Sequence, residues 1–375
     1  GGAAMASVSA LRPFSGPPWA RAVPWLVATK PPQRLPGLAN LPTPITRWEL
    51  PEHLLPPGFR LWIKRDDATG SELSGNKVRK LQFLLADALS QGADCLVTIG
   101  GEQSNHARAS ALAARAVGIE PHLVLRTDTA PGELGLAGNL LLDRLAGARL
   151  WLATRKQWRD EGSGALVERV VAKLRAEGRR PYGVPVGGSN GLGTWGYLDA
   201  VHELEGQLAA GGDGPTAFSD IALTTGSGGT TGGVALGVHL SSLEARVHGF
   251  SVCDSPRYFY EHIDRHVIGD MAAAGAAPPA EDLVRIRDVQ GLGYAKTKPC
   301  ELELIRQVAL HSGVVLDPVY SGKGLGGLLR LMREEPSAFQ GRDVLFWHTG
   351  GIFGIFDYAE EIEPLLDPGD VQALP

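Results

Sequence analysis

Cysteine is scarce in this chain. Only Cys95, Cys253 and Cys300 occur in 375 residues, far apart and odd in number. That pattern offers neither a disulfide framework nor a thiolate metal site, so no metal is expected and a reducing compartment is. Long apolar runs are absent as well. None approaches the roughly 18–20 residues of a membrane span, so a membrane is not an expected partner. A basic field is also missing: the formal net charge is −5 and the pI near 6.1, which argues against nucleic acid as a partner. The last absence is local. The first 48 residues hold no Asp or Glu, four Arg and one Lys, with Ser, Ala and Pro filling much of the rest. Residues 1–40 therefore read either as the remnant of a mitochondrial or other organelle transit peptide or as a Pro-rich arm wrapped on the surface. A soluble intracellular location is expected, the cytoplasm if the second reading holds.

Glycine is abundant instead, with 49 residues, many of them just after short apolar runs. Such runs occupy 61–63, 95–99, 122–125, 150–152, 183–186, 221–223, 247–253, 314–316 and 344–347, and they read as buried strands. Helical patterns alternate with them at 104–117, 138–145 and 165–177, the first closed by Gly118 and the last by Gly178. Strand–helix alternation with continuous apolar strands predicts mainly parallel sheets covered on both faces, an α/β fold. The length favours two domains over one. Segments 209–215 and 272–279 are expected to be loops.

Ser74-Gly75-Asn76-Lys77-Val78-Arg79-Lys80-Leu81 is the most informative stretch. Apolar residues recur at helical spacing from Val78 to Leu89, and Gly92 supplies the stop. Lys77 then falls in the first turn, where the helix dipole and desolvation both disfavour a positive charge. A lysine held partly neutral is a nucleophile toward an aldehyde. Taken alone, the same octapeptide equally describes a surface lysine beside Arg79 and Lys80.

Three further constellations follow apolar runs. In Gly100-Gly101-Glu102-Gln103-Ser104-Asn105 a strand ends in two glycines and polar residues open a helix. The free N–H groups there suit a carboxylate, although plain N-capping accounts for the same residues. In Thr225-Gly226-Ser227-Gly228-Gly229-Thr230-Thr231 unshielded backbone N–H groups at a helix start suit a phosphate. No Lys-Ser/Thr pair follows, so this is not a triphosphate loop. A Rossmann NAD loop competes, with Asp254 as the ribose acid, but Thr231 stands at its third glycine. The last constellation is split between Asp317-Pro318-Val319-Tyr320-Ser321 and His348-Thr349-Gly350-Gly351, with Tyr294 as a third loop aromatic.

Together these residues resemble the fold-type-II family of pyridoxal-phosphate enzymes, and more closely its branch of D-cysteine desulfhydrases and 1-aminocyclopropane-1-carboxylate deaminases. The resemblance runs from about Leu41 to Phe356 and includes Leu41-Pro42-Thr43-Pro44-Ile45, Ile63-Lys64-Arg65-Asp66-Asp67 and Gly191-Leu192-Gly193-Thr194-Trp195-Gly196-Tyr197. It implies two open, twisted, mainly parallel α/β domains of the tryptophan synthase β type with pyridoxal 5'-phosphate in the cleft. The large domain would comprise 1–79 and 195–375, the small inserted one 80–194, and the assembly would be a homodimer. Lys77 would carry the cofactor covalently. Asn105 would bond its phenolic oxygen, and Gly226, Ser227, Gly228, Gly229 and Thr230 would hold its phosphate. Gln103, Ser104 and Asn105 would take the substrate carboxylate, with Tyr294 and Tyr320 flanking the reacting centre.

Two positions divide the branch. The deaminase pattern has Glu after the tyrosine of Asp-Pro-Val-Tyr and reads His-Leu-Gly-Gly in the second loop. Here Ser321 and Thr349 stand instead, as in the desulfhydrases. A carboxylate near the pyridine nitrogen holds it protonated and strengthens the electron sink, and a hydroxyl does so much less. Thr349 is thus expected to bond that nitrogen, with Ser321 near by on the substrate side. The expected reaction is β-elimination from D-cysteine to hydrogen sulfide, ammonia and pyruvate. Aminocyclopropane-carboxylate deaminase and L-cysteate sulfo-lyase are the alternatives within the branch. An NAD-binding oxidoreductase and a non-catalytic amino-acid-binding module are the alternatives outside it.

Overall fold

The computed structural model describes residues 9–211, 214–272, 276–367 and 374. Both expected loops are loops where described, save that Ala209 ends a helix, and residues 212–213 and 273–275 within them lie outside the described set, as do residues 1–8 of the N-terminal segment.

The described part of that segment is an arm folded onto the body. Strand β1 (Arg12–Pro13) pairs antiparallel with β2 (Gln33–Arg34), and the short helix α1 (Pro24–Thr29) lies between them. Phe14 packs edge-on against Phe83 and Trp195, with ring centroids 4.8 and 5.8 Å away. Trp19 Nε1 donates to Glu205 at 2.7 Å. The proline-rich composition therefore ends in a packed surface strap, because its few aromatics find apolar seats.

Two sheets organise the rest. The larger contains β3 (Ile45–Arg47), β4 (Arg60–Arg65), β9 (Asp220–Thr225), β10 (Arg246–Ser251), β11 (Val284–Asp288) and β12 (Asp343–His348), in the order β11-β10-β9-β12-β4-β3. All neighbours are parallel except β3, which pairs antiparallel with β4. The smaller contains β5 (Cys95–Gly101), β6 (Glu120–Arg126), β7 (Arg149–Ala153) and β8 (Pro181–Gly183), all parallel in the order β7-β6-β5-β8. The α/β expectation with mainly parallel sheets holds.

Helices cover both sheets. Around the smaller lie α2 (Lys77–Ser90), α3 (Asn105–Ala116), α4 (Gly138–Leu145), α5 (Arg155–Glu161) and α6 (Ser163–Ala176). The larger is covered by α7 (Gly191–Ala209), α8 (Gly229–Leu240), α9 (Pro256–His262), α10 (Ala280–Leu283), α11 (Pro299–Ser312) and α12 (Ser321–Glu334). Parallel strands covered on both faces must be apolar throughout, which is why β5, β9 and β12 read as unbroken apolar runs.

Two strand expectations need correction. Residues 314–316 form no strand: Val314 and Leu316 are buried in the core around α11 and α12, so the run is apolar because it is packed, without any ladder. The run at 183–186 pairs only at its start, since β8 ends at Gly183 and a 3-10 turn follows at Val186–Gly188. The strand β11 is additional to the expected runs; Val284 and Ile286 alternate with Arg285 and Arg287 at the period of a half-buried strand.

Candidate active site

A cavity of about 470 Å³ opens between the carboxyl ends of the two sheets. From the smaller sheet Gly100, Gly101 and Arg126 line it, and from the larger Thr224, Gly226, Cys253 and Thr349. Ligands of open α/β sheets bind at this edge because strand-end loops and helix N-termini converge there.

Lys77 lines the cavity as the first residue of α2. The approach to it is held by backbone: Asn76 N donates to the Thr349 carbonyl at 3.0 Å, and a Cβ on Gly350 would lie 2.6 Å from the Gly75 Cα. Gly75 itself has φ +109, which favours glycine. Desolvation pushes the Lys77 amine down to about 8. The sequence expectation of a lysine held partly neutral is met, with burial as the cause.

The glycine loop lines the same cavity through Gly226, Ser227, Gly228 and Thr230. Gly228 has φ +79 and forms the N-cap of α8, and a Cβ on Gly226 would stand 2.6 Å from the Tyr320 ring. Gly229 departs from this set: its N–H donates to Ser189 Oγ at 3.2 Å. Asn76 Nδ2 donates to Thr230 Oγ1 at 2.9 Å, tying the lysine loop to the anion loop.

In the sequence Lys80 reads only as part of a basic turn. Its ammonium is buried beside the start of α8, where a Cβ on Gly229 would lie 2.8 Å from Nζ. It donates to the Gly187 carbonyl at 3.0 Å and reaches Ser189 Oγ at 3.4 Å, and no described carboxylate pairs with it. Burial and the charge of Lys77 push its pKa well down. A buried amine that lacks the counter-charge to hold its proton, beside unshielded N–H groups, is what a phosphate would complete. The cavity therefore fits pyridoxal phosphate. Lys77 would hold the aldehyde carbon, and the α8 N-terminus with Lys80 would hold the phosphate.

The remaining expected residues divide. Asn105 and Ser104 line the cavity. Ser104 Oγ accepts from Ala107 N at 3.1 Å, so its side chain caps α3, and Asn105 Oδ1 accepts from Asn139 at 3.1 Å. Tyr294 and Tyr320 both line the cavity with their hydroxyls 2.9 Å apart. Desolvation raises both phenols, which keeps them protonated at neutral pH. Thr349 lines the cavity and its hydroxyl bonds no described residue.

Two placements are corrections. The Gln103 side chain turns away from the cavity: Oε1 accepts from Asn139 N at 2.9 Å and Nε2 donates to the Ala137 carbonyl at 3.1 Å. Ser321 is fully buried and outside the lining: its Oγ donates to Asp317 Oδ1 at 2.6 Å and accepts from Asp317 N at 2.8 Å. The Asp317 carboxylate also accepts from the N–H groups of Val319, Tyr320 and Ser321, so Ser321 completes a local turn and does not face a substrate.

Several quoted motifs lie behind the site. Arg79 donates to both oxygens of Asp66 at 2.8–2.9 Å and to Glu203 at 2.9–3.0 Å. Lys64 pairs with Glu203 and donates to the Thr43 carbonyl, and Tyr197 donates to Asp66 at 2.7 Å. This buried network joins the Thr43, Lys64–Asp66 and Tyr197 motifs into the scaffold that fixes α2 in place.

Residues 37–350 match the family described as pyridoxal-phosphate dependent enzyme. The chain belongs to that family. It is 46% identical over 96% of its length, and 88% of the relative's, to a bifunctional D-cysteine desulfhydrase/1-aminocyclopropane-1-carboxylate deaminase, mitochondrial, of Arabidopsis thaliana. A D-cysteine desulfhydrase of Salmonella paratyphi A is 33% identical over 86% of this chain and 95% of its own. Among solved structures, a homologue of ACC deaminase superposes with a TM-score of 0.74 at 34% identity, covering 88% of this chain and 95% of the other. Membership makes the chain a pyridoxal-phosphate enzyme and rules against the NAD reading of the glycine loop.

Proposed function

We propose that this pyridoxal-phosphate enzyme is a D-cysteine desulfhydrase, converting D-cysteine and water to hydrogen sulfide, ammonia and pyruvate. The observation that carries the reading is the chemistry of the cavity wall. Around the lysine stand the hydroxyls of Tyr294, Tyr320 and Thr349, and the one carboxylate among the described lining residues is Asp254. Such a wall suits expulsion of a good leaving group, and it lacks the carboxylate support that opening a cyclopropane calls for. Relatives named for D-cysteine desulfhydrase activity at 46% and 33% identity support it.

When bound, the cofactor supplies an electron sink for the substrate's α-carbon. The protein's own work is then divisible. The first-turn N–H groups of α3, beside Ser104 and Asn105, orient the substrate carboxylate. Lys77, once its amine is free, removes the α-proton, a role suited to a group poised near 8. The protonated Tyr294–Tyr320 pair hands a proton to the departing sulfur. Thr349 offers its hydroxyl to the pyridine nitrogen.

The separation into two sheets supports residues 80–194 as a small domain inserted into a large one of 1–79 and 195–375. A homodimer is part of the same proposal. So is a mitochondrial or other organellar site, supported by the acid-free N-terminal segment and the mitochondrial relative. Among the described residues no helix is long and apolar enough to cross a membrane.

A product assay decides the reaction. D-cysteine, L-cysteine, D-serine and aminocyclopropane carboxylate are each incubated with the cofactor-loaded enzyme. Sulfide, pyruvate and ammonia in equal amounts from D-cysteine are expected. Ammonia and 2-oxobutanoate from the cyclopropane, with no sulfide from D-cysteine, would sink the proposal.

A further inference from the structure

Arg126 closes β6 directly beside Gly101, its partner in the parallel ladder, and so stands next to the loop that opens α3. Its guanidinium lies over two rings, 4.8 Å from the centroid of Trp158 and 5.2 Å from that of Tyr294. All three residues line the cavity. Elsewhere in the protein, inward-turned arginines have their donors filled: Arg79 by Asp66 and Glu203, Arg108 by Asn139 and the carbonyls of Glu72 and Ser74. The Arg126 guanidinium donates to no described residue and forms no ion pair with one.

Two aromatic faces hold this cation in place while leaving the edge of its planar fork, with its N–H donors, free. The donors have no protein partner, so they are available to a ligand in the cavity. Tyr294, whose hydroxyl meets that of Tyr320 at 2.9 Å, shares one face with the guanidinium. Arg126 therefore lies beside the tyrosine pair, the side of the cavity where a substituent departs. The other charged groups at this mouth are Arg159, paired with Asp160, and the exposed Asp254.

We propose that Arg126 is a specificity determinant that recognises a negatively charged substituent on the β-carbon of the amino-acid substrate. This rests on the β-elimination reading above. When the Cβ–S bond breaks, its electron pair goes to sulfur, and the α-proton goes to Lys77. The departing group is thus an anion at the moment of release, even where it arrives as a neutral thiol. A fixed guanidinium favours that anion, and it favours in binding any substrate that already carries one, such as a thiolate, sulfinate or sulfonate.

The test uses the cofactor-loaded enzyme and reads binding from the cofactor's visible absorption after rapid mixing. The probes are cysteate, serine and alanine, each as both enantiomers. The parent should bind the better enantiomer of cysteate about tenfold or more tighter than alanine or serine. Arg126→Met should abolish that preference while alanine affinity stays within about threefold, and Arg126→Lys should restore part of it. Equal affinities for cysteate and alanine in the parent would overturn the proposal, with no dependence on how a variant folds. So would an Arg126→Met variant that weakens all three probes by one factor, since that marks a brace for Tyr294 and Trp158. If no amino acid perturbs the absorption and cysteine yields no sulfide, the β-elimination reading falls, and this inference with it. Binding without charge preference removes this inference alone.

Discussion

Arg79 and Lys80 are neighbours on α2, each about 1% exposed, and they meet opposite surroundings. Arg79 turns toward Asp66 and Glu203, which neutralise it and raise its already high pKa. Lys80 turns toward the start of α8 and finds a carbonyl and a hydroxyl, neither of which carries charge. A buried charge is tolerated when it is paired and hydrogen-bonded. Where the protein supplies the counter-charge, the cation belongs to the scaffold. Where it does not, a ligand supplies it. The same contrast separates two hydroxyls: Ser321 is spent on Asp317, whereas Thr349 keeps its donor for the cavity.

The largest expected effect comes from the residue that the scaffold leaves reactive. Lys77→Ala should fold, lose the cofactor's visible band and lose turnover by about three orders of magnitude or more. Lys64→Ala should keep the band, because Lys64 is bound to Glu203. Loss of the band in Lys64→Ala with retention in Lys77→Ala would reverse the assignment of the two lysines.

Next is Arg79→Met, which strands Asp66 without a cation bonded to it and leaves Glu203 with Lys64 alone. A stability loss of about 3–5 kcal/mol is expected in denaturant titration, because breaking a buried pair leaves charge uncompensated. A loss below about 1 kcal/mol would deny the network its structural role.

Lys80→Met reverses that pattern. Cofactor affinity, read by fluorescence titration, should fall about ten- to a hundredfold. The cofactor-free protein should be no less stable than the parent, since an unpaired buried charge has been removed. If instead the variant loses stability like Arg79→Met and binds cofactor normally, the contrast between the neighbours is broken.

The hydroxyl pair sharpens it further. Ser321→Ala should cost about 1–2 kcal/mol of stability through the lost bonds to Asp317, with the ratio of products from D-cysteine and aminocyclopropane carboxylate unchanged. Thr349→Leu should leave stability nearly alone and shift that ratio. The opposite assignment of effects would show that Ser321, in spite of its burial, reaches the reacting centre.

The smallest effect is a pH slope. The folded Lys77 amine lies near 8 against an ordinary 10.5, so between those values the unfolded chain holds a proton that the folded one has released. Unfolding then takes up a proton at this site, so the contribution of this amine to the stability of the cofactor-free protein rises with pH across that window, while the thiols of Cys95 and Cys253, raised by desolvation, act in the opposite sense. Lys77→Ala should make the rise shallower, with Lys80, whose pKa burial also pushes well down, supplying part of what remains. An identical slope in the parent and in Lys77→Ala between pH 8 and 10 would contradict the placement of the amine in a desolvated site.

The strand and helix order was legible because parallel strands covered on both faces need apolar residues without interruption, and β5, β9 and β12 have them. Lys77 and the glycine loop were legible because a helix start with small residues before it is a local pattern. Ser104 was legible in type only: its capping role is local chemistry, and the structure uses it so. The strand expected at 314–316 failed because burial against α11 and α12 leaves the same apolar signal as a ladder.

The sequence by itself determined the α/β class, the positions of the strand-end loops and the lysine that heads α2, since all three follow from short-range periodicity and backbone freedom. Tertiary structure alone decided which charges meet. Arg79 is 124 residues from Glu203, Lys80 is 107 from Gly187, and Arg126 comes from a different sheet than the loop bearing Tyr294. Pairing energy falls off over a few ångströms, and distance along the chain carries no record of it. Whether a buried cation braces the scaffold or awaits a ligand is thus settled only when the chain has brought its partners, or none, within reach.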